Sequence, residues 1–297
     1  MSADARSWAA LGLLVVCFGS AFAALKTAVA TVDPMWVTAI RLLIGVAALG
    51  ALLPFTGDAG RLPPFSLARG SPWRWMLPIG LVATVFPFLM FSWASTRLDS
   101  AVVAICNGGS PIFTALLAWV AMRDERVTPR RAVGVGLGFA GLVVLVSPGL
   151  GSGGGVELLA LLAAILGAFL YAVGNVAAAK APRTGAIASA FMMTLSGASV
   201  AAVVAFALRP LPAPAPEAWA SIAFLGLAPT ALAMVVYMWL LVRRGPVFTS
   251  MVTYLSPLWA MGIGVVILGE QPGLEAYAAL GLVLAGVFVA NSGRRTA

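Results

Sequence analysis

Residues Ser110–Glu125 read SPIFTALLAWVAMRDE, and 146 positions after its start the chain reads SPLWAMGIGVVILGE, from Ser256 to Glu270. The echo extends outward from that stretch. Gly80, Thr84, Trp93, Arg97, Ser110 and Pro111 recur as Gly226, Thr230, Trp239, Arg243, Ser256 and Pro257 at one constant offset. One residue is then lost, and Glu125, Leu137, Ala140, Gly141 and Ser147 recur as Glu270, Leu282, Ala285, Gly286 and Ser292 at an offset of 145. Upstream, Gly19 pairs with Gly167. The chain therefore reads as two copies of one unit, expected at 1–148 and 149–297.

Neither copy is made for water. Hydrophobic residues are 61% of the chain, charged residues 9%, and mean hydropathy is +1.02, whereas soluble domains carry about 25% charged residues. About 20 apolar residues cross a bilayer as a helix. Ten such runs are expected near 8–30, 35–53, 74–94, 99–121, 131–147, 157–179, 185–207, 217–241, 246–268 and 274–291. The run beginning at Trp8 is read as the first span and not as a removed signal peptide. Between runs, Gly57–Pro72 is rich in proline and arginine, PGLGSGGG (Pro148–Gly155) reads as a flexible central connector, and RPLPAPAPE (Arg209–Glu217) as a hairpin. Five spans per copy is an odd number, so the second copy enters the membrane upside down. The expected fold is an all-α integral membrane protein with ten transmembrane helices in two inverted five-helix repeats.

The basic residues orient it. With both termini cytoplasmic, fourteen of the eighteen Lys and Arg fall on the cytoplasmic side: Arg6, Arg61, Arg69, Arg74, Arg123, Arg126, Arg130, Arg131, Lys180, Arg183, Arg243, Arg244, Arg294 and Arg295. Arg97 and Arg209 fall outside, and Lys26 and Arg41 lie within spans. The net charge of +8 is thus a topology signal, and no nucleic-acid partner is expected. Trp8, Trp36, Trp73, Trp75 and Trp219 sit at span ends and read as interface anchors.

Inverted repeats suit alternating access to a site between them. A receptor or scaffold without transport, the competing class, gains nothing from the arrangement. Intramembrane proteolysis is excluded by chemistry: there is no histidine, and no span core holds Asp or Glu. No metal and no cofactor are expected. Cys17 and Cys106 lie in apolar runs and read as small buried hydrophobes. The missing intramembrane carboxylate also disfavours exchange of cationic drugs for protons, and favours a neutral or zwitterionic solute.

Intramembrane ionisable residues are functional candidates by default. Phe18, Phe22 and Lys26 share a helical face. Lys26 is expected either to meet a substrate carboxylate beside an apolar Phe18–Phe22 wall or to snorkel to the headgroups. Arg41 is expected to be structural, paired with Asp33 or capping carbonyls of a neighbouring helix. Pro111 and Pro257 free the carbonyls of Asn107 and Thr253. These matched residues form either a substrate cradle with hinges at the prolines, or kinks that serve packing alone. Pro78 and Pro87 are expected to kink the third span in the same manner. Tyr171 and Asn175 on one face of the sixth span, Tyr254, Trp259, Met90 and Trp93 complete the candidate wall, although aromatic residues in spans more often serve packing.

FGSAFAALK (Phe18–Lys26), DPMWVTAIR (Asp33–Arg41) and the two SP-initiated stretches resemble the drug/metabolite transporter superfamily, in particular its EamA-type ten-span members, over nearly the whole chain. The first copy departs from the pattern in Asp124-Glu125, where the second has Gly269-Glu270. The resemblance implies a multi-pass protein of the bacterial inner membrane, with a small-molecule substrate bound between the repeats. Export of amino acids and related metabolites, as by YddG-type exporters, is the leading expectation. A broad-range drug or nucleotide-sugar-like carrier is the alternative. A ten-span pair of repeats forms a complete pathway alone, so a monomer suffices.

Overall fold

The computed structural model describes residues 3–57, 62–121, 129–151, 155–182, 184–249 and 251–291. The sequence-stretch residues Arg61, Arg123–Arg126, Arg183, Ser292, Arg294 and Arg295 lie outside that set. Thirteen α-helices make up the described fold: α1 (Ala3–Val29), α2 (Pro34–Thr56), α3 (Pro72–Gly80), α4 (Phe86–Ser95), α5 (Ser100–Gly108), α6 (Ser110–Ala121), α7 (Pro129–Gly151), α8 (Gly155–Lys180), α9 (Ala186–Leu208), α10 (Pro216–Leu225), α11 (Ala233–Thr249), α12 (Met251–Val266) and α13 (Leu274–Asn291). Joined through their breaks, these give seven helices long and apolar enough to cross a membrane, together with shorter apolar helices at Ala132–Ser147, Met251–Val266 and Leu274–Val289.

Packing follows from small residues. Lipid supplies no hydrophobic force between helices, so close van der Waals contact holds them. α1 packs against α10, α11 and α12, while α8 packs against α4, α5 and α6; α2 lies on α9, and α7 on α13. A β-carbon on Gly80 would stand 2.5 Å from the carbonyl oxygen of Met193, and one on Gly226 would stand 2.9 Å from that of Arg41. Glycine at both positions lets backbone meet backbone.

The predicted kinks take a different form. The third span joins α3 to α4 through a π-helical turn at Leu81–Val85, and the eighth joins α10 to α11 through one at Gly226–Leu232. Pro229 has no N–H for the Leu225 carbonyl, and the Thr230 hydroxyl donates to that oxygen instead, at 2.8 Å. Thr84 donates to Gly80 in the matching turn, at 2.5 Å. The prolines of the fourth and ninth spans also part company. The fourth is broken at Gly109, whose N–H donates to Cys106, between α5 and α6. By contrast, α12 runs unbroken through Pro257, which packs against Gly108.

Other expectations are corrected. The glycine-rich connector is helical up to Gly151: Pro148 has no N–H for the Val144 carbonyl, and the Ser147 hydroxyl donates to that oxygen instead, at 2.8 Å; residues 152–154 are outside the described set. Between the expected eighth and ninth runs, the chain turns at Gly245, where φ is 77°, a conformation glycine adopts readily. Trp8, Trp75 and Trp219 are exposed, as interface anchors should be, but Trp36 and Trp73 are buried. Trp36 donates its indole N–H to Pro210 at 2.7 Å, and Trp73 donates to Pro63 at 3.0 Å. Each clamps a proline-rich loop, because the indole donor needs an acceptor that loop carbonyls supply. Cys17 and Cys106 are unpaired and buried.

Candidate functional site

Among the described residues, Arg41 is the one buried charge, with 8% of its surface exposed. The expected pairing with Asp33 does not form. Asp33 caps α2, accepting from the Met35 N–H at 2.8 Å, and lies 3.6 Å from Arg209. Arg41 is two turns further on, about 12 Å along the helix, and turns to the interior. Its Nε donates to the Thr230 hydroxyl at 3.3 Å, and its guanidinium carbon lies 3.9 Å from the centre of the Phe88 ring. Tyr171 of α8 is within electrostatic reach of the guanidinium, and Tyr237 of α11 within reach of Tyr171.

Two local features hold this group. Thr230 is fixed because its own proton goes to Leu225, which leaves its oxygen to accept from Arg41. Gly45 lets α2 approach, since a β-carbon there would stand 2.6 Å from the Thr230 methyl group. The described buried side-chain atoms without any partner are Ser95 Oγ and Ser256 Oγ. The terminal amino groups of Arg41 are not among them and have no hydrogen-bond partner among the described residues, so they keep some accessible surface. The site is a fixed cation, stacked on an aromatic face, with hydroxyls around it and donors to spare. Such a group can donate to an anion.

A second polar group lies at one end of the molecule. Lys26 Nζ donates to the Leu98 carbonyl at 2.6 Å. Glu270, arriving from after α12, caps α5: it accepts from the Ser100 N–H at 2.7 Å, the Ser100 hydroxyl at 2.9 Å and the Ala101 N–H at 3.3 Å. Asp99 sits beside them, and burial, then the Glu270 carboxylate, push its carboxyl above the usual range, with Lys26 opposing. The folded state therefore holds the Asp99 proton more tightly than the unfolded chain, and this residue costs stability as pH rises through its folded pKa. Asp99→Asn is expected to raise the thermal midpoint in detergent at pH 7, with the gain vanishing below about pH 4, where both states are protonated. An equal gain at both pH values would point to a cause other than charge.

Of the predicted binding residues, Tyr171 is the one these contacts bring to Arg41. Phe18 packs in a cluster with Leu14, Leu240 and Val252, and Phe22 meets Phe91 edge-on with ring centres 6.3 Å apart. Met90 lies on Gly167, and Trp93 packs against the core. Asn107 and Thr253 are half-buried, and Asn175 is exposed. Tyr254 donates to the Val287 carbonyl at 2.9 Å and so faces α13. Trp259 donates to Ser20 at 3.0 Å, seating α12 on α1.

This helical, apolar chain has counterparts among known proteins. The profile of the EamA-like transporter family matches residues 6–147 and, a second time, residues 158–292. The chain belongs to the EamA-like transporter family. This EamA-like transporter is 24% identical to the "uncharacterized inner membrane transporter YedA" of Escherichia coli K12, over 96% of its own length and 90% of the relative's. It is 22% identical to an "uncharacterized transporter" of Archaeoglobus fulgidus, over 96% and 98% of the two chains. A solved crystal structure, 19% identical, covers 96% of both chains with a TM-score of 0.67, which shows a shared fold. Within this EamA-like transporter, Arg41, read from the sequence as structural, stands with Phe88, Thr230 and Tyr237, none of which was read as part of a site. A charge inside a span with no acid in any other span was the available signal for the first of them.

Proposed function

We propose that the chain is a ten-span transporter of the bacterial inner membrane that exports amino acids and related carboxylate-bearing metabolites. It works by alternating access between two inverted five-span repeats, with both termini cytoplasmic. The seven long and three shorter apolar helices support ten spans, and the reciprocal packing of α1 and α8 supports the inversion. One observation carries the substrate class: the terminal amino groups of Arg41 have no partner among the described residues.

A buried guanidinium without a counter-ion is costly, and an arriving carboxylate relieves that cost. The planar fork donates to both carboxylate oxygens, while Phe88 and Thr230 hold its plane. The hydroxyls of Tyr171 and Tyr237 are placed to orient the rest of a small zwitterion. A single buried cation is a poor match for a phosphate dianion, which sets sugar phosphates aside. Lys26, engaged by Leu98, belongs in this reading to the closure of the outer end.

Counterflow in liposomes loaded in turn with threonine, methionine, phenylalanine and lysine tests the proposal. Exchange of a labelled amino acid without an imposed proton gradient is the expected result. No exchange of any of them by folded protein would reject it in favour of a drug or nucleotide-sugar-like carrier. The same assay reports on the hinge. Pro257→Ala is expected to slow turnover several-fold while half-saturation changes little, because α5 and α12 slide where Pro257 meets Gly108. Loss of affinity at an unchanged rate would remove the hinge role.

A further inference from the structure

Away from Arg41, a cavity of about 450 Å³ opens between α3 and α8. Pro78 and Val82 form one wall, and Val173 and Ala177 the other. Both pairs are four residues apart and so share a helical face. Trp75, 43% exposed, stands at the rim. Arg69 and Arg74, both exposed, line the polar end. Gly70, with φ at 90°, folds the chain between these arginines so that both serve one cavity. Neither side chain makes an ion pair or hydrogen bond with any described residue, and no described acidic residue lines the cavity.

The shape is a slot, apolar along its length and doubly cationic at its mouth. Amino acids do not fit that description, since their charged groups would face its apolar depth. An anionic head on a hydrocarbon tail does. We propose that this slot binds one acidic phospholipid, with its phosphate on Arg69 and Arg74 and an acyl chain between Val82 and Val173. Basic pockets between spans on the cytoplasmic side select acidic headgroups by charge. The placement in the cytoplasmic leaflet rests on the orientation proposed above. The slot borders the π-helical turn of the third span, whose Ala83 packs on Gly174 of α8. An occupied slot therefore braces the seam at which α3 and α4 change direction.

The test is native mass spectrometry of the full-length transporter, released from nanodiscs of equal parts phosphatidylglycerol and phosphatidylcholine. The wild type is expected to retain phosphatidylglycerol selectively. Arg69→Gln with Arg74→Gln is expected to reduce that retention by roughly tenfold or more, leaving phosphatidylcholine unchanged. Arg130→Gln, another exposed charge on the same expected side, should have no effect. Val173→Trp keeps both arginines and fills the slot, so it should also expel the lipid. It carries the test alone if the double variant fails to fold, as judged by its elution and thermal midpoint. Undiminished retention in Val173→Trp, or equal losses in the double variant and Arg130→Gln, would overturn the site. No transport is measured, so failure of the amino acid reading leaves this result standing. If labelling placed Arg69 and Arg74 outside while selective retention persisted, the orientation would fall and the lipid site would not.

Discussion

Arg41→Gln is expected to lower counterflow of a carboxylate-bearing substrate by about 100-fold or more, since a buried charged pair that loses one partner forfeits several kcal/mol. Arg41→Lys should lose about tenfold, because an ammonium keeps the charge without the fork that meets two oxygens. The amide of the same amino acid should be affected far less by either change. Stability separates this role from a structural one. An unpaired guanidinium burdens the empty protein, so Arg41→Gln should leave the thermal midpoint unchanged or raise it. A large fall in that midpoint, or equal loss of transport for acid and amide, would show that Arg41 serves packing.

Gly286→Leu is expected to destabilise the fold by about 3 kcal/mol or more and to abolish monodisperse purification. A β-carbon at Gly286 would stand 2.5 Å from the Gly134 carbonyl oxygen and 2.7 Å from the Gly138 nitrogen. The α7 and α13 backbones therefore touch, and small residues are what permit this in lipid. Gly138 has no room to move away, because Ile112 presses on its other side. Gly281→Leu is the internal control. It lies on the same helix with open space where its β-carbon would be, and should shift the thermal midpoint little. Similar losses for the two variants would show that leucine is unwelcome anywhere on α13, and the contact would lose its importance.

Spans were legible because membrane insertion depends on the length of apolar runs, which no tertiary contact edits. The matched residues Gly80, Thr84, Gly226 and Thr230 fall at the two π-turns, where backbone contacts and hydroxyl bonds tolerate few other residues. Partners across the fold were not legible. Arg41 and Thr230 are 189 positions apart, and nothing local to either names the other. Asp33 looked available to Arg41 because its commitment to the Met35 N–H is visible only once the cap is formed. Tyr254 misled for a related reason. The cost of a buried hydroxyl says that an acceptor must exist, and the acceptor was the ordinary backbone carbonyl of Val287. Proline matching overreached too, because a π-turn or a facing glycine can absorb the defect that a missing N–H creates.

Glu270 has a consequence for how such a protein is tuned. Its carboxylate, carried on the second half of the chain, holds the first turn of α5 through three hydrogen bonds. Separating the halves at that end means surrendering all three together, far from the position of Arg41 on α2. Under the proposed mechanism, the resting bias between the two faces and the choice of cargo are written in different residues. On that reading, selection, or an engineer, is free to reset how long the door stays shut without rewriting what passes through it.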